Sequence, residues 1–154
     1  MASSAITLYN KAKLNFFGAG GLLALTTNWK IALLTSTYTP SAGDSGHEVY
    51  GDLTNELATG NGYTAGGGAL TSVALTMSSG VVKFTSAAFV WTASGGSIPA
   101  WRYGVIYQDS TVNSKVKPLL GYFIGDNTPA DIPATTSGNT LTFTPNASGI
   151  LTAT

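Results

Sequence analysis

Apolar and polar residues alternate in short runs along most of this chain, and a period of two is the signature of strands with one face turned inward. The densest run is 101–107, Trp-Arg-Tyr-Gly-Val-Ile-Tyr, which alternation predicts to be one strand ended by the turn chemistry of Asp109-Ser110. Trp101, Tyr103, Val105 and Tyr107 would share one face, and Arg102, Gly104 and Ile106 the other. A second run over 29–37 puts Trp29, Ile31, Leu33 and Thr35 on one side, with Lys30, Ala32 and Leu34 opposite. Shorter runs are expected as strands at 22–25, 69–76, 81–86, 88–92, 119–125, 139–144 and 150–154. Met77-Ser78-Ser79-Gly80 forms a hairpin turn between two of them.

Helical spacing is strongest at the start, with at most one further short helix near Leu53 to Ala58. Ser3 and Ser4 are placed to cap a helix running to Phe17, with Gly18 as its stop. Ala5, Leu8, Tyr9, Ala12 and Phe16 form its apolar stripe, while Ile6, Leu14 and Phe17 lie off that stripe and leave a second apolar side. Eight or nine short strands behind one helix predict a mainly β protein, an antiparallel β-sandwich or jelly roll. The N-terminal helix would occupy 1–18 and a single β-sandwich domain 19–154, with a long loop at 38–68.

Composition narrows what such a domain does. Of 154 residues, 44% are hydrophobic and only 9% charged, against about 25% charged in an ordinary soluble protein. The surface is therefore built largely from Thr, Ser, Asn and Gly, and a partner can cover it while desolvating few ions. Seven basic residues balance seven acidic ones, and the basic ones are scattered rather than striped, which argues against nucleic acid as a partner. The absence of cysteine excludes disulfides and thiolate chemistry. Lys11 and Lys13 before the apolar run 16–25 mimic a secretory signal, but cations in a true signal come at the very start. No apolar run reaches the length of a membrane span, so no membrane partner is expected.

The loop at 38–68 holds four of the seven acids, Asp44, Glu48, Asp52 and Glu56, and the single histidine, His47. Connections of this length are commonly functional. Gly43-Asp44-Ser45-Gly46 matches the peptide around a serine-protease nucleophile, yet the only histidine follows the serine by two residues, which is the wrong arrangement. The acids with His47 could ligate a cation, but their spacing fits neither a zinc-protease helix nor a calcium loop. A glycosidase needs two carboxylates across a cleft, not clustered on one loop. The glycines of 60–68 come without Lys or Arg, so they read as turns anchored by Tyr63 rather than as a phosphate cradle. No cofactor is expected.

Several segments, taken in order, resemble a family of small structural proteins of tailed bacteriophages. They are Lys30 through Pro40 (KIALLTSTYTP), Gly62 through Gly67 (GYTAGG), Trp91, Arg102 through Tyr107 (RYGVIY), Pro118 through Tyr122 (PLLGY) and Ala147 through Leu151 (ASGIL). The resemblance covers roughly 14–154 and implies a virion protein similar in size and composition to capsid decoration or cement proteins. On that reading the chain is no enzyme. It self-associates and binds the major capsid protein on the capsid exterior, with Tyr9, Leu14, Phe17, Tyr38, Tyr50 and Arg102 as expected partner contacts. Two rival readings stand beside it. One is a tail or head-fibre subunit; the other is a carbohydrate-binding module stacking sugars on Trp91, Trp101 and Tyr103.

Overall fold

The computed structural model describes residues 3–16, 26–128 and 130–153. Its elements are β1 (Thr7–Leu8), α1 (Asn10–Phe16), β2 (Trp29–Leu34), β3 (Gly68–Ala69), β4 (Ala74–Ser78), β5 (Val81–Thr85), β6 (Phe89–Thr92), β7 (Tyr103–Gln108), β8 (Thr111–Val112), β9 (Lys115–Val116), β10 (Leu119–Ile124), β11 (Thr140–Phe143) and β12 (Leu151–Ala153). Every pairing between these strands is antiparallel. The protein is mainly β with one helix, as the alternation predicts.

A five-stranded sheet in the order β1-β10-β7-β2-β3 forms the centre. Both of its faces are covered. On the inner face Trp29, Ile31, Leu33, Ile106, Leu120 and Phe123 share a core with Phe84 of β5 and Trp91 of β6, so the sheets β12-β5-β4 and β11-β6 pack there. On the outer face Ala32, Leu34, Val105, Tyr107 and Leu119 meet Tyr9 and Ala12 of the N-terminal segment and Tyr38 of the long loop. This layering is compatible with a sandwich or jelly roll.

The alternation of 29–34 is realised as written, with Trp29, Ile31 and Leu33 inward and Ala32 and Leu34 outward. The strand stops at Leu34 rather than continuing to Thr37, because the Thr35 N–H turns away to the carbonyl of Asn55 at 2.9 Å. Strand β10 breaks strict alternation. Its pairing with β7 shifts between Leu119 and Gly121, a bulge that sends Leu119 outward but Leu120 and Phe123 inward.

Four expectations are corrected. The helix begins at Asn10, not beside Ser3 and Ser4: the Ser4 backbone N–H donates to the carbonyl of Ile124 (2.9 Å), its hydroxyl accepts from the Ile124 N–H (2.8 Å), and Thr7 pairs with Tyr122. The first residues thus complete the edge of β10, satisfying groups that a helix would have left open. Trp101 lies before β7, in a single bridge to Ile132, and its ring joins the inner core with Ile106 rather than the face of Tyr103, Val105 and Tyr107. The run 69–76 is two strands in different sheets, broken where Ser72 takes φ 51° and the chain crosses from one layer to the other. The short helix expected near 53–58 is instead a 3-10 turn at Tyr50–Asp52. The expected strand at 22–25 and the residue Phe17 lie outside the described residues.

Candidate functional site

The long loop is the natural place to look for chemistry, and its side chains prove to be fasteners. Leu34 forms a bridge with Glu56, and Val49 one with Pro118, so the loop is laid across the outer face of the central sheet. The Glu56 carboxylate accepts from three donors: the hydroxyl of Tyr50, the hydroxyl of Tyr63 at 2.7 Å and the backbone N–H of Gly66 at 2.7 Å. The Tyr63 hydroxyl in turn accepts from the N–H of Leu33 at 3.0 Å, which ties the clasp to β2. Tyr107 donates to the carbonyl of Gly66 at 2.6 Å. Gly67, at φ 71°, has no room for a Cβ against the Ile31 carbonyl, which is the close approach its glycine permits.

A second chain of contacts closes the other end. The hydroxyls of Tyr9 and Tyr38 lie 2.7 Å apart, and that of Tyr38 is 2.9 Å from Nδ1 of His47. Burial raises the hydroxyl pKa of Tyr9, Tyr38, Tyr50, Tyr63 and Tyr107, with the negative charge of Glu56 adding to the effect at Tyr50, Tyr63 and Tyr107. These tyrosines are neutral donors, not nucleophiles.

The remaining acids are engaged as fully. Asp52 accepts from the backbone N–H groups of Glu48 (2.8 Å) and Val49 (2.9 Å); burial pushes its pKa up, but these bonds outweigh that and hold it below the usual value. Asp109 is gripped by Lys30 and Lys117, each at 2.7 Å. There too burial is opposed and outweighed, so its pKa falls. Glu48 pairs with Lys115 at 3.0 Å, Asp44 accepts from Asn10 at 2.7 Å, and Asp126 from the N–H of Thr128 at 3.0 Å. Asp131 takes the Nε–H of Arg102 at 2.8 Å. All seven carboxylates therefore have partners within the chain. Among the described residues no three of His, Asp and Glu gather to hold a metal ion. Asp44, Glu48, Asp52 and Glu56, grouped in the sequence, are thus separated by their partners.

The expected partner contacts divide. Tyr9 and Tyr38 are 0% and 1% exposed and belong to the core, so as folded they present nothing to a partner. Leu14 is 69% exposed. Tyr50 and Arg102 are half-buried; the Tyr50 ring lies tilted against Tyr107, with centroids 4.7 Å apart, and under Lys117. Sequence order gave Arg102 no carboxylate, yet the fold supplies Asp131 from twenty-nine residues further on. Trp91 and Trp101 are buried, which removes them as open stacking platforms for a sugar, while Tyr103 is half-buried. The surface positions that sequence reasoning missed are Leu75, Met77, Val90 and Val116, all exposed and all on short strands. Alternation within β4 carries a signal for the first two: Leu75 and Met77 fall on one face.

No helix among the described residues is long and apolar enough to cross a membrane. No family model, no curated protein and no solved structure matches this chain.

Proposed function

We propose that this protein is a structural component of a tailed-bacteriophage virion, a cement subunit that lies on the outer shell across junctions between major capsid protein copies and beside copies of itself. The observation that carries this reading is the internal use of all seven carboxylates. The acids hold the fold together, and what remains outside is a surface of small polar residues with scattered apolar positions. Such a surface suits permanent coverage by protein. A specific interface of about 1,200–2,000 Å², repeated over many subunits, adds up to resistance against internal pressure without any single contact being tight. The exposed Leu14, Leu75, Met77, Val90 and Val116 are the positions at which that coverage would begin. Virions assembled without this protein should lose resistance to heat or to chelators, and a labelled copy should decorate the shell. Unchanged particle stability together with absence from purified capsids would sink the proposal, and a label on the tail would move the protein to a fibre.

A further inference from the structure

Among the described residues, β4 is the longest strand that ends a sheet. It pairs with β5 on one side, and no strand lies beyond it. The direction of its backbone groups follows from the hairpin. Ser79 and Gly80 form the two-residue turn at φ 51° and 79°, and Ser78 faces Val81 across its mouth. A turn of this kind is closed by a hydrogen-bonded pair. Thr76 and Lys83 are then the next bonded pair, while Leu75 and Met77 stand opposite Phe84 and Val82 without exchanging bonds. The Phe84 carbonyl agrees, since it accepts from the N–H of Ile150 at 2.8 Å, on the side away from β4. The N–H and C=O groups of Leu75 and Met77 therefore point outward from the sheet edge.

Natural edges are guarded by Lys, by Pro or by a bulge. Residues 70–80 carry no charge and no proline, and the register with β5 runs without a shift. The side chains are uncovered as well. Leu75 and Met77 share the face on which Phe84 is buried in the core, yet they are 42% and 74% exposed, so the dry face of the hairpin runs on past that core.

We infer that the edge of β4 pairs antiparallel with the same edge of a second copy of this chain, about a two-fold axis at Thr76. The occupant follows from the register. Leu75 of one copy meets Met77 of the other, and the reverse, so each of the four outward N–H groups finds a carbonyl and none is left over. The same register sets the exposed Leu75 and Met77 side chains against each other on one face. A strand of another sequence would have to supply that match, whereas a second copy supplies it by symmetry. Charge does not oppose the pairing. Lys83, opposite Thr76 on β5, would stand three strand spacings or about 14 Å from its counterpart, beyond the Debye length. A five-residue edge buries less than the about 1,200 Å² of a standard interface, so the pair is weak in dilute solution and fills where copies are crowded. This pairing gives the virion reading its contact between neighbouring copies, and it rests on that reading for the crowding.

The chain has no cysteine, so one introduced thiol reports the register without background. Thr76 would face its own counterpart as a non-hydrogen-bonded pair with Cα atoms about 4.5 Å apart, within disulfide reach. Ser78 would lie four residues along from its counterpart, about 14 Å away. Both side chains are exposed. With oxidised glutathione, Thr76→Cys should form a disulfide-linked dimer at least about tenfold faster than Ser78→Cys. Sedimentation equilibrium of the intact parent should show monomer and dimer with a Kd on the order of 100 µM to 1 mM. Met77→Pro removes an outward donor that makes no bond within the chain, and should weaken the dimer at least about tenfold while melting like the parent. If Met77→Pro does not fold, Met77→Lys, a charge at an exposed site, decides in its place. Equal cross-linking of the two cysteine proteins overturns the register. A parent that stays monomeric at about 1 mM overturns the second copy as occupant and leaves the edge to an extended segment of another protein. Self-association that the Met77 variant leaves unchanged places the contact elsewhere and refutes the inference. All of these are read on the purified chain, so their failure is distinct from a failure to find the protein on particles.

Discussion

At the scale of single residues, Glu56 is the one whose loss should be felt most. Its carboxylate is the common acceptor for Tyr50, Tyr63 and the Gly66 N–H, so Glu56→Ala would strand three donors at once. Unmet buried donors cost about 1–3 kcal/mol each, and partial rehydration here should leave a net loss of about 2–4 kcal/mol, read from urea unfolding. The tyrosines make an independent prediction. Their folded pKa values are raised by burial above the ordinary value near 10, so their contribution to stability is complete below about pH 10 and is lost as pH climbs toward the raised values. Tyrosinate absorbance from these residues should therefore appear together with the loss of far-ultraviolet circular dichroism, in one alkaline step; smooth ionisation of a still-folded chain would contradict the burial. At this scale little was legible in the sequence. The residue types and the cluster of acids were plain, but partners such as Asp131 for Arg102 and Lys30 for Asp109 are distant in the chain and brought together only by the fold.

At the scale of elements, alternation located β2 to β7 and β10 to β12 because it reports directly on which side of a strand is dry, but it missed β8 and β9, two-residue strands too short to show a period. It failed where one strand serves two layers or where a neighbour needs completing. Ser72 ends a run that looked continuous, and Ser4 and Thr7 form a ladder with β10 although their spacing suited a helix. Trp101 had the composition of the strand that follows it, but its ring is directed by packing against Phe123 and by the bridge to Ile132. The pairing of Gly104 with Phe123 across β7 and β10 is one place where an element depends on a single small residue. A Cβ at Gly104 would run into the Phe123 ring. Gly104→Ala should cost about 1–3 kcal/mol in thermal or urea unfolding, as overpacked cores do. Adding Phe123→Leu should recover part of that loss; if the double variant is simply the sum of the two single ones, the clash is not the cause.

At the scale of the whole molecule, the long loop changes meaning. Its length suggested a functional segment, yet it acts as the outer layer over β2, β7 and β10, fixed by the Glu56 clasp, the Tyr9–Tyr38–His47 contacts and the bridges at Val49 and Glu56. Chymotrypsin at low ratio should spare Tyr38, Tyr50, Leu53, Leu57 and Tyr63 in the parent and cut among them in Glu56→Ala, with the sites read by mass spectrometry. Cleavage of the parent at those positions would show that the layer lifts on its own. The same architecture bears on how the chain comes to be folded. Thr7 pairs with Tyr122, and Lys30 with Tyr107, so the edge strand β1 and the inner strand β2 each wait for a partner made much later. Such non-local pairing closes large loops before any contact rewards them, and it places the protein among slow-folding β topologies. On the ribosome the central sheet cannot close until β10 has emerged. Until then β2, one of the most apolar stretches of the chain, must stay covered by something other than its native neighbours.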